Sequence, residues 1–265
     1  MKINFTYLVI IVLLIFGTNL SAQYSGGTGT EEDPYLISTA SDMNNVRNNL
    51  DAYFRQIDDI DLSSYSSGTG WEPIGTETIP FTGTYYGGAF RITNLFINKT
   101  NLENVGLFGY TNGATLGGLI IVDASVSGKN NVGILAGTIQ NSTIEIIFVS
   151  GEATGDDNIG GAVGYADQIT ASEIAANAEV TGSDYVGGLA GQIQRGTIKN
   201  SYSLNEVTGK NIVGGFTGFL GDADIINSYS IGKVGGNSNF GGFIGSSTGT
   251  VTNSYWNTNT SNQAT

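Results

Sequence analysis

Two sets of carboxylates recur at a fixed interval in this chain. Glu152, Glu179 and Glu206 are equally spaced, with Ser125 one interval before them and Lys233 one interval after. Asp157 and Asp184 keep the same spacing inside the series Asn130, Asp157, Asp184, Asn211. If the interval is one turn of a stacked coil, equivalent carboxylates lie about 4.8 Å apart, the spacing between neighbouring strands. Adjacent carboxylates with amide oxygens beside them suit a hard cation, so Asp157 and Asp184 form a candidate calcium site; no other cofactor is implied. Carboxylates about 5 Å apart also match the pair of a retaining glycosidase. Stacking produces this spacing in any acidic ladder, however, and exposed charges usually contribute little. The plain reading of both series is a solvated acidic stripe with turn residues.

Other chemistry is restricted by composition. The chain has no histidine and no cysteine, which removes histidine-dependent triads, thiol nucleophiles and the usual zinc sites. Ser127, Thr154, Thr181 and Thr208 form a hydroxyl series on the Glu-bearing face. Regular threonine arrays can bind ice on flat, uncharged faces; the adjacent glutamates argue against that, and cross-strand threonine pairing is simpler. Tyr202, Tyr229 and Tyr255 could stack on sugar rings. They share alternation with Ile198 and Ile225, which predicts a core position, with Asn200 and Asn227 as an internal amide ladder.

A repeat must position all of these. Val105-Gly106, Val132-Gly133, Ile159-Gly160, Val186-Gly187, Val213-Gly214 and Phe240-Gly241 follow one another at the same constant step as the carboxylates. A second column, Val126, Ala153, Val180, Val207 and Val234, is trailed two residues later by Gly128, Gly155, Gly182, Gly209 and Gly236. Such a period marks stacked-unit architectures, in which each unit covers its neighbour's apolar edge. Short β-type runs alternate with period two, as in Ile198 to Leu204 and Ile225 to Ile231, and no long amphipathic helix intervenes. The expectation is an all-β chain folded as a single-stranded β-solenoid of 27-residue coils. Its recurrent glycine serves either a corner with positive φ or a close backbone approach.

Residues 1–22 carry one charge, Lys2, then an apolar run from Tyr7 to Phe16 and a small-residue ending at Ala22. This reads as a secretory signal peptide, too short to span a bilayer with comfort, and no second long apolar run follows. Without cysteine the exported chain has no disulfides and no lipid-accepting thiol. Ten basic against 23 acidic residues give a net charge of −13, so nucleic acid and anionic membranes are poor partners, and no membrane insertion is expected after signal cleavage.

Residues 23–103 depart from the period and read as an N-terminal cap with the first irregular coils. Ser41 is expected to cap a short helix in which Met43, Val46, Leu50 and Phe54 keep helical spacing, and which covers the first open coil. Strand-like runs follow at 53–57, 60–62 and 90–97. Residues 104–265 hold six repeats. Only Asn257 to Thr265 follow the last of them, little material for a cap. Further domains of a longer chain, or a partner, are therefore expected at that end.

Tyr185-Val186-Gly187-Gly188-Leu189-Ala190-Gly191, then Gly196-Thr197-Ile198-Lys199-Asn200-Ser201-Tyr202 and Val207-Thr208-Gly209, closely resemble the GLUG repeat of bacterial surface proteins. The ending Asn253-Ser254-Tyr255-Trp256-Asn257-Thr258 resembles that family's last repeat, and Gly27 to Ile37 resembles the segment that opens these regions. The match is strong from 186 to 256 and weaker from 159 to 185, where Ala171 and Ala175 replace the Ile and Tyr. The family's F-D-G-N-G-H-T-I stretch stands here as Tyr85 to Ile92, without the aspartate or histidine. The resemblance implies a right-handed β-helix in an exported, adhesin-like protein, sometimes a module of proteases whose catalytic domain lies elsewhere. The expected function is a secreted or cell-surface scaffold or adhesin module that binds glycans or protein partners on its outward faces without catalysis. A β-helix carbohydrate-active enzyme is the runner-up and ice binding a minor alternative.

Overall fold

The computed structural model describes residues 23–261 and 263; the expected signal peptide, residues 1–22, lies outside them. The chain winds as a β-solenoid of about eight coils of roughly 27 residues. Its strand ladders are parallel, and most of them join one continuous 21-stranded sheet that wraps the rod. A separate five-stranded sheet closes the remaining wall, built from Asn130–Val132, Asp157–Gly160, Asp184–Gly187, Asn211–Gly214 and Ser238–Gly241.

One inward column shows how the period is kept and where it gives. Tyr35 pairs with Phe54, Phe54 with Tyr85, and Tyr85 with Leu116, a short first coil followed by two long ones. Leu116 then pairs with Ile144, one residue beyond the regular period, and Ile144, Ala171, Ile198 and Ile225 keep that period without a break. Loops absorb the extra residues of the long coils, and the one-residue excess at Ile144 is removed by a register shift between Val149 and Gly151. Each large side chain buried in such a column contributes about 1.5–3 kcal/mol.

The filling of the core changes along the rod. At the N-terminal end it is aromatic: Phe54 lies 6.2 Å from both Phe81 and Tyr85, and Phe81 lies 5.0 Å from Phe108. Trp71 is fully buried and donates its indole N–H to the Leu107 carbonyl at 3.2 Å. The middle coils are filled by Ile, Val, Leu and Ala, and Phe216 meets Phe243 at 4.8 Å near the far end.

The N-terminal helix is shorter than its spacing predicts and is capped two positions earlier. It spans Ala40–Asn45, with Thr39 as N-cap, and continues as a 3-10 turn over Val46–Asn48. Thr39 Oγ1 accepts from the Asp42 amide at 3.1 Å and Asp42 returns the contact to the Thr39 amide, a capping box that Ser41, already inside the helix, cannot make. Met43 and Val46 are buried as expected, but Phe54 belongs to the strand Tyr53–Gln56. The expected strand at 90–97 is two, Arg91–Thr93 and Phe96–Asn98, broken at Asn94 by a left-handed φ of 59°.

The Val-Gly repeat separates two requirements. Positive φ falls on the residue before the apolar one: Asn104, Asn131, Asn158, Tyr185, Ile212 and Asn239 all lie between 48° and 59°. Asparagine tolerates this conformation better than other L-residues. The glycine serves close approach instead, since a Cβ on Gly133 would come 2.6 Å from Val163 Cα. A second left-handed column runs through Ile146, Glu173, Asn200, Asn227 and Asn253.

Two substitutions test this architecture. Ala171 stands where Ile144 and Ile198 flank it, beside a water-sized apolar void of about 10 Å³ lined by all three. Ala171→Val is expected to raise stability by about 0.5–1 kcal/mol in denaturant unfolding, short of the roughly 1.6 kcal/mol that two added carbons would give at about 0.8 kcal/mol each because the void is small, whereas the bulkier Ala171→Ile overfills it. Ile146 is β-branched, left-handed at φ 56° and 57% exposed. Ile146→Asn is expected to gain about 1 kcal/mol by the same measurement.

Candidate functional site

The periodic carboxylates face solvent. Glu152, Glu179 and Glu206 are exposed and in direct register. The series ends on a cation, with Lys233 Nζ 3.0 Å from Glu206. Thr154, Thr181 and Thr208 are exposed beside them, so the threonine ladder runs along a face that carries a carboxylate on each of these coils.

Asp157 and Asp184 are register partners, flanked by Asn130 and Asn211 as the spacing requires. The series is knitted by hydrogen bonds along the rod. Asn130 Nδ2 donates to Glu103 at 3.2 Å, Asn130 Oδ1 accepts from the Asp157 amide at 3.3 Å, and Asn211 Nδ2 donates to Asp184 Oδ1 at 2.7 Å. Ser238 completes it on Asn211 at 2.6 Å. Among the described residues, no group of three or more acidic side chains comes together to hold a metal ion.

The tyrosine column is reversed from its expected position. Ile198 and Ile225 are buried, but Tyr202 is half-buried, Tyr229 41% exposed and Tyr255 67% exposed; Ser201, Ser203, Ser228 and Ser230 point inward instead. The cause is the left-handed corner at Asn200 and Asn227, which turns the chain between Ile and Tyr and shifts the alternation by one residue. The amide ladder exists on the outside: Asn227 donates to Asn200, and Asn253 to Asn227, each at 3.4 Å. Tyr202 and Tyr229 stack with centroids 5.2 Å apart and planes 6° from parallel. Their column continues through register partners Ala175, Phe148 and Ile120.

A second constellation has no counterpart in the sequence reading. The strands Phe108–Asn112, Ala136–Gln140 and Val163–Asp167 set Tyr110, Thr138 and Tyr165 side by side. The corner asparagines form the adjoining wall of a polar groove of about 340 Å³, at the small end of ligand-sized sites. Asn104 Oδ1 accepts from Thr138 at 2.6 Å and from Asn131 at 2.9 Å; Asn131 Oδ1 accepts from Asn158 at 2.9 Å. There the ladder stops, because Tyr185 occupies the next corner, and Asn158 Oδ1 is left buried without a partner. Gln140, Glu77 and Glu103 line the groove as well, and the two glutamates also line a neighbouring depression beside Pro73 and Leu102. Burial raises the pKa of both Tyr110 and Tyr165, with Glu77 next in effect on the first and Asp167 on the second, so both phenols stay protonated donors. Asp167, next along the strand, is buried and held by Arg195 through two hydrogen bonds of 2.8 and 2.6 Å. The regular recurrence of Asn104, Asn131 and Asn158 was available in the sequence, but nothing there placed it against a tyrosine-bearing strand.

Residues 182–208 match the GLUG motif, which bears out the resemblance carried by Tyr185 to Gly209. A protein of Evansella cellulosilytica described as "Putative Gly-rich membrane protein" is 41% identical over 119 residues, covering 40% of this chain and 14% of that one. Halomucin of Haloquadratum walsbyi is 39% identical over 132 residues, 46% of this chain and 1% of its own length. The chain thus spans a small part of the curated relatives it matches. Among solved structures, a Bacteroides ovatus chain described as "a putative immunoglobulin A1 protease" superposes with a TM-score of 0.73 at 24% identity, over 88% of this chain and 78% of that one. This likeness shows the shared β-helix fold. Among the described residues no helix is long and apolar enough to cross a membrane.

The calcium expectation has a direct check. One oxygen of Asp184 is already engaged by Asn211 and, among the described residues, no third carboxylate joins the pair, so melting temperatures in chelator and in excess calcium should agree. A calcium-dependent rise that Asp184→Asn abolishes would make the pair a site.

Proposed function

We propose that the chain is a non-catalytic scaffold or adhesin module of an exported, surface-exposed protein, and that it holds glycans or protein partners along its outward faces. The observation that carries this reading is the tyrosine column left in solvent over successive coils, Tyr202, Tyr229 and Tyr255. Tyrosine presents a large rigid apolar body with a polar tip and loses little conformational freedom on binding, which suits a contact surface. Repetition at one coil step lets several weak contacts act together on an extended partner. The names of the relatives, a Gly-rich membrane protein and halomucin, support a surface setting.

An enzyme of the β-helix type would use Glu77 and Glu103, the two carboxylates that line the polar groove. Glu103 is already engaged by Asn130 at 3.2 Å and Lys129 at 3.9 Å, and both glutamates also line the open depression beside Pro73 and Leu102.

A glycan array and a surface-protein panel probed with the mature chain, with turnover of every retained ligand followed in parallel, test the reading. Retention of an intact ligand is expected. Release of shortened glycan or cleaved protein would replace the scaffold with an enzyme.

A further inference from the structure

We infer that the groove between Tyr110 and Tyr165 is a binding site for a neutral pyranose unit of a glycan. The inference rests on the reading of the chain as a binding module and gives one face of it a ligand class. Three features of the groove converge on a sugar that carries hydroxyls and no negative charge.

The first is its shape. Tyr110 and Tyr165 belong to coils two steps apart, with the smaller Thr138 between them in register. Two coil steps separate the tyrosine backbones by about 9.6 Å. The short Thr138 side chain is turned to Asn104, which leaves a notch between two phenols at the scale of one six-membered ring. Phenol rings beside a pyranose offer apolar contact to its C–H face and O–H groups to its rim.

The second is an orphaned acceptor. Asn158 lines the groove, and its Oδ1, the end of the corner amide ladder, is buried beneath that lining and receives no hydrogen bond. An unpaired buried carbonyl costs about 1–3 kcal/mol, which a ligand O–H or N–H donated to it would recover. The upstream amides are committed to one another and to Thr138, so Asn158 is the ladder's open end.

The third is the sign of the field. Glu77 and Glu103 line the groove, Asp167 lies two residues on from Tyr165 in the same strand, and the chain carries −13 overall. Lys129 and Arg195 are the cations nearby, and each is already turned to a carboxylate, Glu103 at 3.9 Å and Asp167 at 2.6 Å. Uronates, sialic acids and sulfated sugars are therefore repelled. A neutral hexose or N-acetylhexosamine meets acceptors on the carboxylates, Asn158 and Gln140, and donors on the two phenols.

Titration of the mature chain by calorimetry, with neutral hexose and N-acetylhexosamine oligomers in one series and uronate or sialylated oligomers of equal length in another, tests this. Neutral oligomers should bind saturably and at least tenfold more tightly than the acidic ones. Asn158→Gly, which keeps the left-handed backbone and removes the acceptor, and Tyr165→Ala should each weaken binding at least tenfold; Asp224→Ala, an exposed residue of the strand Thr217–Ile226 outside both the groove and the tyrosine column, should not change it. Thermal melting checks that each variant folds, and Gln140→Ala, a smaller lesion in the same groove, serves if either does not, with weakened binding again expected. Equal affinity for acidic oligomers, full binding by the groove variants, or no saccharide binding would each overturn the proposal. Binding lost in Tyr229→Ala but kept in Asn158→Gly would do so while leaving the scaffold reading intact, whereas failure to retain any glycan or protein would remove that reading too.

Discussion

Parallel stacking in register places nearly every side chain over its own equivalent, one strand spacing away, and the remaining features of this rod follow from that constraint. Backbone hydrogen bonds run along the rod and join each coil to the next, so no coil has a sheet of its own to rest on. Chemistry is therefore tested against its own copy. Valine over valine and isoleucine over isoleucine extend a dry core, as in Val126, Ala153, Val180, Val207 and Val234. Asparagine over asparagine is self-complementary, because each amide donates to one neighbour and accepts from the other. Glutamate over glutamate is not, and it persists only on the exposed wall where water screens it.

The same constraint explains where unpaired groups and grooves arise. A self-complementary ladder satisfies itself and offers a ligand little until it is interrupted. The corner amides are interrupted at Tyr185, and the carbonyl of Asn158 is what remains unused. The outward tyrosine ladder is interrupted at Ala175, which opens a shallow groove between Phe148 and Tyr202. In this fold unpaired groups and grooves arise at the departures from the repeat rather than in the repeat itself.

The repeat itself was legible from the chain, as were its columns. Val105 to Phe240, the glutamates and the threonines all lie where the constant step predicts, because those positions flank corners whose length does not vary. The phase of the alternation was not legible across a corner. Asn200 reads as a strand residue, yet its left-handed φ of 51° shifts the alternation by one residue and brings Tyr202 to the surface. Asparagine at Asn131, Asn158, Asn200, Asn227 and Asn253 was the available signal, since this side chain tolerates the left-handed conformation and marks turns. The polar groove was hidden for a different reason. Tyr110 and Tyr165 are separated by two coils of unequal length, and the single extra residue between Phe108 and Ala136 takes them off the strict period.

The direction of the backbone ladders also sets how the rod answers to force. Strands lie across the long axis and the bonds between coils lie along it, so a pull along the axis loads one rung at a time rather than shearing a whole sheet together. Each coil that peels away turns a rise of about 4.8 Å into roughly 90 Å of extended chain, at about 3.3–3.6 Å per residue. A rod built this way yields in steps of nearly equal length and dissipates a load by lengthening.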